Sequence, residues 1–449
     1  MAQKNFPPLV KKSHWLFGNM MDLKRDSLGS LTRWQQEMGP FFGFHAMSRP
    51  QLVNAKPEYT KYILQDNNKN YIKGKAFDLL RALLGNGILT SEGDFWRKQR
   101  RMAQPAFHKA RLAGMTQSML QVIDTFLTEW EQKYKPGDRI NVSEEFNHLT
   151  LKIVAKALFE SEVSDDIYKV GGYLFDGMER LMMRLRNPLI PPRWIPTPGN
   201  IKEKKTLQVL FDVVEKIIID RQNDPREYND LLAMLMTTQD EDTGEVMSRQ
   251  QLLDEVMTIF MAGHETTAVA LGYIFWKLSQ YPEIDQQVDQ EIEQALGSGN
   301  LTFDSLRSLP YTRQVVNEVL RLYPPAWTVG RRAINDDEIG GYHIPAGTGV
   351  MLPIYLVHHD PQWWDSPEEF LPERWADTQK IKQMPKFTYF PFGGGPRLCI
   401  GDQFAQLEIF AVLSMLKQRF KFEHQPKHDI KLLPLVTMRP KDDIYLTLK

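Results

Sequence analysis

Apolar and small residues recur mostly at helical spacing along the chain, most clearly within residues 248–280. The positions that repeat there at steps of three or four are Val256, Ile259, Phe260, Gly263, Thr267, Ala270, Leu271, Ile274 and Leu278. Ser248 and Gln251 fit a capping box at the start, and Pro282 follows the end. Since a helix rises about 1.5 Å per residue, this one is predicted to cross the whole molecule.

A second helix is predicted between Pro310 and Pro324, which bound an apolar stripe. Short strands are predicted near residues 41–55 and 338–353 and in the C-terminal IYLTL. No internal repeat or Gly/Ser linker interrupts the pattern, and the strongest break, residues 187–200, is short. We therefore expect a mostly α fold with a small β region, organised as one domain over residues 1–449.

Composition limits the class of protein. The chain carries 55 basic and 56 acidic residues, so no charge surplus favours nucleic acid. Its single cysteine excludes an intramolecular disulfide and a multi-cysteine zinc site, and it favours a reducing, cytoplasmic location. No apolar run reaches membrane-spanning length. Trp15, Leu16 and Phe17 near the N-terminus form a small apolar group that either packs onto its own domain or makes a weak peripheral membrane contact.

The lone thiol, Cys399, lies in the glycine-rich stretch FGGGPRLCIG at residues 392–401. An amphipathic helix pattern follows it, which places the thiol near a helix N-terminus, where free N–H groups and the helix dipole favour a thiolate. Glycines let the backbone approach a flat ligand closely. A thiolate on such a loop is suited to be the fifth ligand of a haem iron.

Other interpretations of the loop are a small buried apolar side chain and a nucleophilic cysteine whose histidine lies elsewhere in the chain. A dinucleotide-binding fingerprint is excluded by spacing, because Leu398 stands where the third glycine would be needed. A phosphate-binding loop is excluded because no Gly-Lys-Ser/Thr follows.

The loop as a whole resembles the haem-binding signature of the cytochrome P-450 family, with Phe392, the glycines, Arg397, Cys399 and Gly401 at the family's spacing. This resemblance covers the chain from about residue 40 to its end. It implies a triangular, mostly helical fold that binds haem b, with Cys399 as the iron ligand and Phe392 and Arg397 beside the cofactor.

Ala262-Gly-His-Glu-Thr-Thr267 resembles the family's oxygen-activating motif. By itself, the stretch could be a polar patch on a partly solvated helix. The Thr266 hydroxyl can bond back to the carbonyl of Ala262 and distort the helix locally. The resemblance implies that Glu265 and Thr266 deliver protons, that Gly263 lies at the cofactor, and that His264 occupies a variable position.

Glu318 and Arg321, three residues apart on one helix face, can form an ion pair that is commonplace on protein surfaces. With Arg374 in FLPER they resemble the family's Glu-Arg-Arg triad, which implies a structural role. The following stretch His358-His359-Asp360 departs from the usual His-Arg-Asp, and the role of His359 stays open.

Trp96 and Arg100 resemble the family's Trp-x-x-x-Arg helix, which contacts a haem carboxylate. Arg332 is predicted to be a further arginine of this kind, with Arg331 as its competitor. The neighbouring basic residues either form a solvated helix face or present positive charge to an acidic electron donor; they are Arg97, Lys98 and Arg101.

The resemblance implies a monooxygenase that uses O2 and acts as a monomer. No flavin or nicotinamide fingerprint and no fused reductase are recognised, so a ferredoxin or flavodoxin with its NAD(P)H-dependent reductase is the expected electron source. A peroxide-driven peroxygenase or a haem isomerase would not need Glu265 and Thr266, and a haem sensor or carrier would need neither those groups nor an electron donor.

The predicted substrate pocket is apolar and indicates a hydrophobic substrate. Its predicted lining residues are Phe260, Ala262, Ala326, Val329 and Val436. Residues 72–108 look like the corresponding region of fatty-acid and alkane hydroxylases of this family, which favours a long-chain lipid, an alkane or a terpenoid. Met178, Met182 and Met183 form either part of the core or an adaptable channel lip.

Overall fold

The computed structural model describes residues 5–160, 177, 180, 183–184, 190–226, 228, 230–297, 301–425 and 430–449. The α-helices with printed bounds in this part of the chain are α1 Met20–Arg25, α2 Ser27–Met38, α3 Pro57–Lys61, α4 Ala76–Leu84, α5 Gly93–Ala103, α6 Lys109–Lys133, α7 Val142–Phe159, α8 Pro198–Asn223, α9 Leu231–Thr237, α10 Arg249–Gln280, α11 Pro282–Leu296, α12 Phe303–Arg307, α13 Pro310–Leu322, α14 Ile354–His358, α15 Thr378–Gln383 and α16 Asp402–Arg419. The mostly α prediction is confirmed.

The prediction of a long helix is confirmed by α10. The Ser248 hydroxyl accepts a hydrogen bond from the Gln251 N–H, and the Gln251 side chain accepts one from the Ser248 N–H, which completes the capping box. Helices α7, α13 and α16 pack against α10, and residues 252–261 and 267–278 of α10 are buried. Apolar burial on nearly all sides explains why this helix is the central element of the fold.

The strands form one five-stranded sheet and three smaller ones. Their bounds are β1 Phe41–Ala46, β2 Arg49–Asn54, β3 Tyr71–Lys73, β4 Arg139–Asn141, β5 Val329–Ala333, β6 Asp337–Ile339, β7 Tyr342–Ile344, β8 Gly349–Leu352, β9 Phe422–Glu423, β10 Leu432–Pro434, β11 Met438–Pro440 and β12 Tyr445–Leu448. The larger sheet has the order β1-β2-β8-β5-β3. The predicted strands near 41–55, within 338–353 and at the C-terminus are confirmed.

Two apolar clusters form the core. The larger one surrounds α10, and the smaller one covers the five-stranded sheet. Phe387 and Phe390 belong to the smaller cluster, whereas Phe392 packs against the larger one. The segment that precedes Cys399 therefore runs from one core to the other and is held at both.

Helix α8 begins at Pro198, within the predicted break at residues 187–200, and its first turn is capped by the Thr197 hydroxyl. Met178 and Met182 lie outside the described residues, while Met183 is exposed. No helix in the described part of the chain combines the length and apolar character needed to cross a membrane.

Candidate active site

The loop that carries Cys399 is closed by its own backbone. The Cys399 N–H donates to the Phe392 carbonyl at 3.0 Å, and the Leu398 N–H donates to the Gly395 carbonyl at 3.1 Å. Cys399 is exposed and lies three residues before α16 begins at Asp402. The loop thus presents the sulfur at a fixed place.

The three consecutive glycines of the loop, Gly393 to Gly395, differ in their surroundings. A Cβ at Gly395 would lie 1.9 Å from the Leu64 carbonyl oxygen, and one at Gly394 would lie 2.2 Å from the Phe387 ring. Gly393 has φ +71° and no atom within 4 Å of its open side. Two glycines are therefore required by packing within the protein, and only Gly393 fits the prediction of a backbone kept bare for a flat ligand.

The charge state of the thiol differs from the expectation. Burial raises the pKa of Cys399 to about 11, and a hydrogen bond from the Gly401 backbone offsets only part of this effect. The sulfur has accessible surface but is densely surrounded by protein. The desolvation that raises its pKa therefore outweighs the helix N-terminus, which would lower it. A metal ion bound to the sulfur would deprotonate it outright.

Three of the residues predicted at the cofactor lie together beside the loop. The Arg397 guanidinium stacks 3.7 Å above the ring centroid of Trp96. Arg100 Nη1 donates to the Leu398 carbonyl at 2.7 Å, one residue before Cys399. The C-terminal half of α5 and the cysteine loop are therefore joined directly.

The structure corrects the choice of Arg332. In the β3–β5 ladder Lys73 lies opposite Arg331, while Ile72 lies opposite Arg332. Since successive side chains of a strand point to opposite faces, Arg331 shares the face of Lys73 and Arg332 does not. The pKa of Arg331 is lowered to about 10 by burial, and Arg331 and Arg397 both lower the pKa of Lys73 electrostatically. The strand register therefore favours Arg331, the competitor, as the third arginine of this cluster.

Lys73 and Glu92 belong to this cluster but were missed in the sequence. Glu92 accepts from the Lys73 N–H at 2.7 Å and from Arg397 Nη2 at 2.5 Å. The Lys73 ammonium donates to the Leu89 carbonyl, and burial holds its pKa well below the ordinary value. Strand β3 has only three residues, too few for an alternation signal that would reveal which way Lys73 points.

The cluster contains more positive charge than its protein partners neutralise. Lys73, Arg100, Arg331 and Arg397 converge. The Glu92 carboxylate accepts from the Arg397 side chain and acts electrostatically on Lys73 and Arg331, and Asp402 acts on Arg100. Arg331 donates only to the carbonyl of its neighbour Gly330 in this part of the chain. Buried cations without counter-charges are costly, so this donor set fits the two carboxylates of a haem.

Helix α10 changes character at its middle. Ala262 is exposed and Gly263, Glu265 and Thr266 are partly exposed, although the helix is buried on both sides of them. The Thr266 hydroxyl donates to the Ala262 carbonyl at 2.8 Å, as the sequence predicted, yet the helix continues without a break. The middle of α10 therefore has solvent-accessible surface, whereas the rest of its central part is buried.

Glu265 is held by a residue from the other end of the chain. The Thr437 hydroxyl, between β10 and β11, donates to Glu265 Oε1 at 2.6 Å. Val436 beside it is partly exposed, as is Val329, and Ala326 is exposed. The carboxyl group thus lies next to the predicted apolar lining.

Two of the predicted site residues contact α7. A Cβ at Gly263 would lie 3.0 Å from Val154 of α7, so Gly263 permits a close approach of the two helices. Phe260 is 2% exposed and packs against Phe159 with ring centroids 6.0 Å apart. Phe260 therefore belongs to the core and not to the pocket wall.

His264 is buried between α10 and α7. Its Nδ1 lies 3.3 Å from the Phe260 carbonyl, and its own carbonyl accepts from the Thr150 hydroxyl at 3.0 Å. Burial lowers the pKa of the imidazole, so it is neutral at physiological pH. These contacts give His264 a packing role.

The structure joins all three residues of the predicted triad. Glu318 accepts from Arg321 at 2.8 and 2.9 Å, from Arg374 Nε at 2.9 Å, from the Trp375 indole and from the Leu371 N–H. Burial raises the pKa of Glu318, but these donors outweigh burial and hold it below the ordinary value. The Glu318 carboxylate is therefore ionised, and both of its oxygen atoms accept hydrogen bonds.

Arg321 extends this network towards the cysteine loop. It is 0% exposed and also donates to the carbonyls of His358, Pro367 and Glu369. The His358 ring lies 3.2 Å from the Arg321 carbonyl through Nδ1, and its Nε2 accepts from the Phe390 N–H at 3.1 Å. His358 is thus a structural bridge that was missed in the sequence.

His359, whose role the sequence left open, stacks on Tyr355 with ring centroids 4.0 Å apart. Its Nδ1 lies 2.9 Å from the Tyr355 carbonyl. Burial lowers the pKa of the imidazole to about 4. His359 is therefore a neutral packing residue that caps the C-terminal end of α14.

The basic residues of α5 are paired with acids. Arg97 lies 2.5 Å from Asp94, and Lys98 lies 2.7 Å from Glu245. Arg101 contacts Asp240 and Asp242 at 2.5 and 2.6 Å. These pairs tie α5 to residues 240–245, which favours the structural reading of the basic run over a free positive surface for an electron donor.

Comparison with known proteins agrees with this geometry. The cytochrome P-450 family model matches residues 7–447. Cyclooctat-9-en-7-ol 5-monooxygenase of Streptomyces melanosporofaciens is 33% identical over 82% of this chain and 80% of its own. Cyclooctatin synthase of the same organism is 31% identical over 87% and 84%, and the protein LUTEIN DEFICIENT 5, chloroplastic, of Arabidopsis thaliana is 30% identical over 88% and 69%. The chain therefore belongs to the cytochrome P-450 family and is a monooxygenase.

Proposed function

We propose that this monooxygenase hydroxylates a hydrophobic, terpenoid-like substrate with O2 and electrons from a separate carrier. The observation that carries the choice of substrate is its similarity to two Streptomyces proteins, one of them named for the oxidation of an unsaturated alcohol at position 5. The small apolar side chains of Ala262 and Ala326, which are exposed, and of Val329 and Val436, which are partly exposed, support an apolar ligand.

The proposed cofactor is haem b, and the residues suit it. Lys73, Arg100, Arg331 and Arg397 would hold its carboxylates by charge-assisted hydrogen bonds, Gly393 would leave room for its face, and Cys399 would ligate the iron. When bound, haem supplies the activation of O2 that no side chain of the protein can provide.

Glu265 and Thr266 are proposed to manage protons in the accessible part of α10. Thr266 donates its own proton to the Ala262 carbonyl, which leaves its oxygen lone pairs free to accept from a water molecule or another donor. Glu265 is oriented by Thr437 and can take a proton from one side and release it to the other after a small rotation. Together, Glu265 and Thr266 would hold a proton donor beside the O2 that reacts.

The electron donor is proposed to be a ferredoxin or flavodoxin with its NAD(P)H-dependent reductase, because no flavin or nicotinamide fingerprint is recognised in the sequence. The acid pairing of Arg97, Lys98 and Arg101 argues against the basic run of α5 as a free docking site for this donor.

Replacement of Thr266 by alanine tests the proton role. We expect the product formed per reductant consumed to fall at least about tenfold, with hydrogen peroxide released in its place, because positioned proton transfer contributes about 100-fold or more to such steps. The measurement is the amount of product formed per NAD(P)H oxidised. It uses a substrate that the parent protein hydroxylates and a surrogate ferredoxin system.

Thr267→Ala is the matched control. Thr267 is the next residue of α10, bonds back to the Gly263 carbonyl at 3.3 Å, and is 2% exposed. Its loss should leave the coupling ratio within about twofold of the parent value. Equal coupling in both variants and the parent protein would refute the role of Thr266.

A further inference from the structure

The turn near the N-terminus presents apolar side chains to solvent. Trp15 is 82% exposed and Leu16 is 44% exposed, so the first alternative, packing onto its own domain, does not hold for these two residues. Phe17 is partly buried and packs on His14. Leu9, Met21 and Met47 are also exposed. We call these five residues the N-terminal apolar surface.

Backbone hydrogen bonds hold this surface together. The Val10 N–H donates to the Gly43 carbonyl at 2.8 Å, and the Met47 N–H donates to the Phe17 carbonyl at 3.3 Å. The Asn19 N–H donates to the His45 carbonyl at 2.8 Å. Residues 9–19 are thus fixed along β1 and the β1–β2 turn, and the exposed side chains are displayed by a rigid scaffold.

The segments that carry the N-terminal apolar surface also carry exposed positive charge. The exposed cations on the same segments are Lys11, Lys12, Lys24, Arg25 and Arg49. None of them forms an ion pair with another described residue. The acids on these segments are Asp22 and Asp26, and Asp26 already caps α2 through the Gly29 N–H. The rim therefore carries a surplus of free cations.

We propose that the N-terminal apolar surface docks onto an anionic lipid surface. A tryptophan with neighbouring Leu and Met side chains suits the boundary between headgroups and acyl chains, and unpaired Lys and Arg suit anionic headgroups. A second copy of this chain would bring the same cations face to face, so lipid fits the surface better than self-association. This docking does not depend on the identity of the substrate.

Co-sedimentation of the haem-loaded protein with vesicles tests the proposal. We expect binding to vesicles of equal parts phosphatidylglycerol and phosphatidylcholine, and much weaker binding to phosphatidylcholine alone or at high salt. The double variant Trp15→Ser/Leu16→Ser should bind at least about tenfold more weakly. Lys11→Gln/Lys12→Gln should lose about fivefold per cation. Because all four side chains are exposed, the thermal midpoint should not change.

Trp194→Ser is the matched control, since Trp194 is 81% exposed and its neighbour Arg193 is paired with Glu203. It should bind as the parent protein does. Equal binding to neutral and anionic vesicles, an equal loss in Trp194→Ser, or no vesicle binding together with a dimer that Trp15→Ser dissolves would each overturn the proposal.

Discussion

Glu318→Ala is expected to lower the free energy of unfolding by about 3–5 kcal/mol, because it leaves the fully buried Arg321 without its carboxylate. Trp375 and Arg374 lose the same acceptor. Since Arg321 also holds the carbonyl of His358, whose ring binds the Phe390 N–H, the loss should reach the cysteine loop. The measurement is urea unfolding of the variant and parent followed by tryptophan fluorescence, together with the haem content of each.

Asp94→Ala provides the comparison. Asp94 and Arg97 have the same i,i+3 spacing, but their side chains are 93% and 60% exposed, and such pairs contribute about 1 kcal/mol or less. If Glu318→Ala lowered the free energy of unfolding and the haem content no more than Asp94→Ala does, the triad would not be the anchor of the cysteine loop.

Arg331→Leu is expected to weaken haem retention by about 30-fold or more, because removal of one buried partner of a charge pair costs about 2 kcal/mol or more. The measurement is the rate of haem transfer from the purified protein to an excess of a haem-scavenging protein, which does not require turnover.

Arg332→Leu is the ideal partner experiment, because Arg332 is the adjacent residue of β5 on the opposite face of the sheet. It should retain haem within about twofold of the parent. The opposite ranking of the two variants would restore Arg332 as the cofactor ligand and refute the cluster built around Lys73, Arg331 and Arg397.

The elements that could be predicted are those with a long or specific signal. The 32 residues of α10 supply many turns of apolar periodicity, and the cysteine loop matches a fixed spacing. The back-bond from Thr266 to Ala262 follows from helix geometry alone. Each of these depends on residues close together in the chain.

The predictions that differ from the structure concern the direction and burial of side chains, which tertiary packing determines. VGRRA has no apolar alternation that would distinguish the faces of β5, so Arg331 and Arg332 were indistinguishable in the sequence. Gly263 and Phe260 lie on the side of α10 that α7 covers, and the sequence does not specify which helix packs where. The raised pKa of Cys399 depends on burial by the whole fold, which local helix electrostatics does not include.

The partners of charged residues were equally hidden. Arg97, Lys98 and Arg101 form a basic run in the sequence, but two of them are neutralised by residues 240–245, about 140 positions away. Glu265 meets Thr437 across a similar separation. Such pairs become visible only once the chain is folded.

The central claim is that Cys399 ligates a haem iron as a thiolate. Its most direct test is the absorbance spectrum of the purified protein after reduction and exposure to carbon monoxide. We predict a strongly red-shifted Soret band, which would require a thiolate ligand on the iron. A haem spectrum without this shift, or a folded protein that binds no haem, would contradict the claim.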